Sequence, residues 1–162
     1  MAVNEAPVAQ LEKLFRRIHA NEMAGMPVLN PALAIEAVGF QRCSYGWLGI
    51  LITPWFMNLI LLPAANAPWV SLAAGKQCDL SFPSGDFRFS ADSAPELGEY
   101  LSCQLFSPMY HFPDQATART AARAALEAVM TAPAAAAAEE SETVSLSKRR
   151  LLRGIFSPSG EG

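Results

Sequence analysis

The chain has 162 residues, 51% of them hydrophobic and 17% charged, with a formal net charge of −3. That length fits one domain with a real hydrophobic core, and the mild acidity excludes the basic footprint that nucleic-acid binding requires. Cys43, Cys78 and Cys103 are odd in number and far apart, which excludes a disulfide framework and fits a reducing compartment.

Residues 1–21 carry Glu5, Glu12, Lys13, Arg16 and Arg17 at helical spacing in place of the apolar core of a signal peptide, so a cytoplasmic location is expected. Val8, Leu11, Leu14, Phe15 and Ile18 form one stripe, predicting an amphipathic helix over 8–21 with Pro7 at its start. It ends near Gly25, and Met26–Pro31 is a rigid connector because each proline extends its predecessor. A strand follows over 33–42, with Leu33, Ile35 and Ala37 on one side and Glu36, Val38 and Phe40 on the other. Gly39 marks a bulge or a close approach of another backbone.

Between Arg42 and Lys76 the only ionisable groups are the Cys43 thiol and the Tyr45 phenol. The length suits a membrane span. Pro54 interrupts the run, however, Asn58 would need a partner in lipid, and flanking cations are sparse. Two buried strands, Leu48–Thr53 and Phe56–Leu62, explain it better, so no membrane insertion is expected. Asp79–Phe82 and Phe87–Phe89 flank the turn Pro83-Ser84-Gly85-Asp86 as a second hairpin. A last strand is expected at Tyr100–Phe106, and a helix from the N-cap Asp114 to about Met130. Beyond Pro133, the alanine run, the glutamates and the basic group at Lys148–Arg153 read as a flexible tail.

Little here supports catalysis. No paired Cys or His spacing indicates a metal, and there is no phosphate loop or dinucleotide fingerprint. Ser84 lies in a turn that explains its neighbours fully, without a nucleophile elbow. Neither a catalytic residue, nor a metal, nor a cofactor is therefore expected. Apolar display is the better reading: Trp47, Trp55, Phe56, Met57 and Trp69 crowd one region with Met23, Met26 and Met109 nearby, and three consecutive large side chains after a proline cannot all point inward.

Several strings carry a resemblance: Asn30-Pro31, Glu36–Phe40, Gly49–Leu59 with its Ile-Thr-Pro-Trp-Phe-Met-Asn-Leu core, Leu62-Pro63, Phe82–Gly85 and Cys103–Met109. From about Phe15 to Met130 the chain resembles the HybE/HupJ family of [NiFe]-hydrogenase assembly proteins. The resemblance implies a non-catalytic cytoplasmic chaperone for hydrogenase subunit precursors. The Fe–S small subunit, exported with a twin-arginine signal, is the implied partner, with the large subunit and other maturation factors beside it. Some relatives carry a rubredoxin domain, whose paired Cys-x-x-Cys motifs this chain lacks, so no iron is carried over. The alternative is a redox or Fe–S-handling protein that uses Cys103. Ser147–Arg153 itself resembles a twin-arginine motif at the wrong end of the chain, and is read as a solvated basic tail in preference to a pseudo-ligand.

These readings combine into an α+β fold. A single domain, 8–131, holds a mostly antiparallel sheet with its N- and C-terminal helices packed on one face, followed by the tail 132–162. The expected partner surface joins Trp55, Phe56, Met57 and Asn58, the turn Pro83, Ser84 and Gly85, and the segment Cys103, Phe106, Ser107, Pro108 and Met109.

Overall fold

The computed structural model describes residues 6–69 and 71–132, so the expected tail, apart from residue 132, lies outside the described residues. Six antiparallel strands form one sheet: β1 (Glu36–Cys43), β2 (Gly46–Ile52), β3 (Met57–Leu62), β4 (Gln77–Phe82), β5 (Gly85–Ala94) and β6 (Gly98–Phe106). Their spatial order is β1-β2-β3-β6-β5-β4. β2 and β3 come from the uncharged run, β1 pairs with β2 on its outer side, and β6 inserts between β3 and β5.

In β2, Leu48, Ile50 and Ile52 face one side while Leu51 faces the other; in β3, Met57, Leu59 and Leu61 alternate with Ile60 and Leu62 in the same way. Helix α2 (Gln115–Val129) covers the first side with Ala118, Ala122, Ala125, Leu126 and Val129. Helix α1 (Val8–Ile18) covers the other with Leu11, Leu14 and Phe15. The two helices thus lie on opposite faces, which corrects the expectation that they share one. The reason was present in the central strands. They are apolar on both sides, and a sheet with two apolar faces must be covered on both. Each fully buried Leu or Ile contributes about 1.5–3 kcal/mol, so neither face could be left wet.

Gly39 makes a bulge. Register passes from Val38↔Ile50 to Gln41↔Leu48, so Gly39 and Phe40 together oppose Gly49. Gly39 has φ +70, and a Cβ on it would sit 2.8 Å from Leu126 Cδ2, so the bulge and the close approach expected as alternatives both occur. The extra residue also moves Phe40 to the α1 side, away from Val38, against the simple alternation. There its ring fills the space that a Gly49 side chain would need.

Most strand ends shift by one to three residues from expectation, and three boundaries have an identifiable cause. α1 passes into a π-helical turn, His19–Met23. β1 starts at Glu36 because Pro31 and the Gln115 side chain, bonded to Ala34 N and O, hold 31–35 outside the ladder. β5 continues to Ala94 through Ser90-Ala91-Asp92-Ser93, poor strand formers that pairing with β6 carries along. At the helix start, Asp114 accepts the Thr117 N–H at 2.8 Å, the expected N-cap. No helix among the described residues is long and apolar enough to cross a membrane.

Candidate partner-binding site

The loop between β2 and β3 is closed by Thr53. Its buried Oγ1 accepts the N–H groups of Trp55 at 3.1 Å and Phe56 at 2.9 Å, and its own N–H donates to Phe56 O at 2.8 Å. This hydroxyl-anchored turn is what a Thr before Pro can build without further help. It places Trp55 and Phe56 side by side on the α1 side, with ring centroids 5.6 Å apart at 71°. Phe56 packs on Phe15 at 5.6 Å, and Trp55 lies 5.7 Å from the ring of His19, in the π-helical turn.

Asn30 ties this turn to two other loops. Its backbone N–H donates to Pro54 O at 2.9 Å, and its Nδ2 donates to Met109 O at 2.8 Å and Phe112 O at 2.9 Å. Its Oδ1 accepts the Ala32 N–H at 2.9 Å. Ser107 Oγ donates to Trp55 O at 3.2 Å, and Tyr110 donates its phenolic hydrogen to Pro27 O, also at 3.2 Å. Segments 26–30, 53–56 and 107–112 therefore meet at one end of the sheet. Among the described residues the exposed large hydrophobics are Met26, 46% accessible, and Tyr110, 59% accessible, and both belong to this junction.

The structure brings together two of the three segments expected to form the partner surface. Trp55 and Phe56 are half-buried and Ser107 and Pro108 exposed, all at the junction. Met57, Asn58, Cys103, Phe106 and Met109 are buried and support it from within. The turn Pro83-Ser84-Gly85 is elsewhere. Ser84 N–H donates to Val129 O at 3.2 Å, at the C-terminal end of α2, whereas Asn30 and Phe112 sit at its N-terminal end. At 1.5 Å per residue, the 15 residues of α2 hold the two places about 20 Å apart. Tyr45 fixes the turn from its other side, with its hydroxyl accepting Ser81 N–H and donating to Ser81 O.

Tyr110 is the residue that sequence reasoning passed over, and the role of Asn30 was not foreseen, whereas Met26 was already counted near the apolar cluster. Asn30-Pro31 stood in the resemblance, but Asn30 bonds to carbonyls 79 and 82 residues away, a pairing without a local signal.

Charged groups near the junction are few and mostly engaged. The Arg119 guanidinium, bonded to Glu36 at 2.9 Å with Gln115 beside it, holds the Glu36 carboxyl below the usual range. Arg17 does the same for Glu96. Burial, with a smaller effect from Asp79, pushes the Cys78 thiol up. Cys103 is buried in the sheet on the α2 side, and among the described residues no group of three His, Cys, Asp or Glu side chains could hold a metal ion. Two buried oxygens, Asn58 Oδ1 and Ser84 Oγ, lack a hydrogen-bond partner among the described residues.

Among the described residues, an antiparallel sheet covered on both faces thus carries an apolar loop junction at one end. The family described as [NiFe]-hydrogenase assembly, chaperone, HybE matches residues 6–154, and the chain belongs to it. That family is one of assembly chaperones and not of enzymes. The chain is 45% identical over 138 residues to Protein HoxT of Cupriavidus necator, covering 78% of this chain and 76% of that protein. It is 38% identical over 146 residues to the hydrogenase expression/formation protein HupJ of Bradyrhizobium diazoefficiens, covering 88% and 84%. The solution structure of HybE from Escherichia coli shares the fold, with a TM-score of 0.66 at 23% identity over 79% of each chain.

Proposed function

We propose that this assembly chaperone acts in the cytoplasm by binding an immature [NiFe]-hydrogenase subunit, the Fe–S small-subunit precursor before its twin-arginine export. The docking surface is the junction of segments 26–30, 53–56 and 107–112. One observation carries this reading: the exposed Met26 and Tyr110 belong to the loops that Asn30 ties to the turn of the half-buried Trp55. Methionine and aromatic side chains adapt to varied apolar partners, and a rigid frame lowers the ordering cost of binding.

Buried Met57, Phe106 and Met109 set the shape of this surface, and the turn Pro83–Gly85 lies outside it. The test is co-purification of tagged chain with the small- and large-subunit precursors from hydrogenase-producing cells. Trp55→Ala with Tyr110→Ala should reduce recovery of the small-subunit precursor at least tenfold, as expected when anchors near an interface centre are truncated. Ser84→Ala should leave recovery unchanged. Equal recovery with both variants, each folded as judged by circular dichroism, would refute the surface.

A further inference from the structure

We propose that two copies of this chain pair through the open edge of β4, antiparallel, with Gln77 of each opposite Asp79 of the other and Cys78 on the two-fold axis.

The sheet has two edge strands, β1 and β4, and the fold treats them differently. β1 carries the Gly39–Phe40 bulge, and the Glu12 carboxylate accepts its Ala37 N–H at 2.8 Å. On β4 the Tyr45 hydroxyl accepts the Ser81 N–H at 3.0 Å and donates to Ser81 O at 3.1 Å, so both main-chain groups of Ser81 point away from β5. By the two-residue period of a strand, those of Asp79 and Gln77 point the same way. Among the described residues neither has a main-chain partner on that side. A free charge on Asp79 would blunt this edge, but Arg88 holds the carboxylate at 2.9 Å.

One register lets two copies use both open rungs. Centred on Cys78, it sets Gln77 against Asp79 twice, and each such pair exchanges two main-chain bonds. The Gln77 amide, held in its own chain by one 3.3 Å bond to Ser90, then donates to the Asp79 carboxylate across the axis. Centring on Asp79 instead sets two carboxylates face to face and needs the Ser81 rung that Tyr45 fills. Centring on Gln77 needs position 75, whose N–H is turned to Ala91 O at 2.9 Å. An edge that complements itself in this way makes an isologous contact. On the other side of β4 the half-buried Cys78 and Leu80 come under cover. Two rungs make a small contact, so the pairing is weak and depends on concentration. The two Cys78 residues face each other between the bonded rungs, where Cα atoms lie about 4.5 Å apart. A disulfide spans Cα separations of roughly 4.4–6.8 Å, so these thiols report on the register.

The experiment oxidises the reduced full chain with diamide, which takes up the two thiol hydrogens as the Sγ–Sγ bond forms. A cross-linked dimer is expected, with peptide mapping joining Cys78 to Cys78, absent in Cys78→Ser and kept in Cys43→Ser. Sedimentation velocity should show the mean mass rising over a hundredfold increase in concentration. Amide exchange at Gln77 and Asp79 should slow over the same range. Asp79→Pro removes an outward N–H without touching the β4–β5 bonds, so it should fold and give at least tenfold less cross-link. Asp79→Asn, with the main chain intact, should keep it. Should circular dichroism show Asp79→Pro unfolded, Gln77→Pro at the first position of the strand takes its place. Cross-linking of the folded proline variant equal to that of the unaltered chain, or mapping to Cys43, would overturn the proposal. A chain that stays monomeric, with these amides protected only in the co-purified precursor complex, would overturn it too and give the edge to the client. Protection that persists on dilution would do the same, by showing that one chain covers its own edge.

Discussion

The carboxamide nitrogen of Asn30 donates to the carbonyl oxygen of Met109 at 2.8 Å, across 79 residues of sequence. With the second bond to Phe112 O and the backbone bond to Pro54 O, it makes three loops into one frame. Asn30→Ala should cost about 2–3 kcal/mol in urea unfolding, since it removes two part-buried bonds at roughly 1 kcal/mol each and leaves carbonyls unpaired. Asn30→Asp should cost more, because an acceptor would face two carbonyl acceptors.

Gly49 is the floor under Phe40. Gly49→Ala should destabilise by about 1–3 kcal/mol, the usual range for overpacking a filled site. The cost should shrink in the Phe40→Ala background, where the ring is gone. A double-mutant cycle in urea measures the coupling, and additive effects would mean that the two positions do not share the space.

Asn58 keeps an unpartnered buried oxygen on the α1 side of β3, opposite Leu51. Replacing an orphaned acceptor with an apolar group of similar size removes its desolvation cost. Asn58→Val should therefore raise the urea midpoint, by about 1 kcal/mol of stability. Thermal unfolding of both proteins checks it, and a loss of stability would mean that the oxygen has a donor in solution.

Glu36 gives a pH signature. Arg119, then Gln115, holds its folded pKa below the unfolded value, so its contribution is fully present above about pH 4.3 and is lost as pH falls through the folded pKa. The pair is about a third exposed, which limits the effect to under about 1 kcal/mol. Glu36→Gln should therefore lower stability slightly at pH 7 and flatten the acid limb of the stability curve. Urea midpoints from pH 2.5 to pH 7 measure both.

Much of this was legible in the chain. The uncharged run read as two strands because Pro54 and Thr53 interrupt it, and both strands formed. The Asp114 cap, the hairpin around Pro83–Gly85 and the stripe of α1 were local signals, each made by residues within a few positions of one another. The length of β5 was not legible, because Ser, Ala and Asp became strand only by pairing with β6. The junction was half legible: the Trp55 turn announced itself and Met26 stood near it, while Tyr110 looked like an ordinary connector residue.

By itself, then, the sequence determined the kinds and approximate places of the elements, the family, and the awkward apolar turn at Trp55. Hydrophobic period, proline and capping act over one to four residues and are written in order along the chain. Only the tertiary structure decided that the helices take opposite faces, that Pro83–Gly85 sits apart from Trp55, and that the loops of Met26 and Tyr110 join the Trp55 turn at one end of the sheet. Those facts depend on contacts between residues tens of positions apart, such as Asn30 with Met109 and Ser84 with Val129. Such pairings follow from burying both sides of one sheet at once, a condition on the whole chain that no short stretch of it carries.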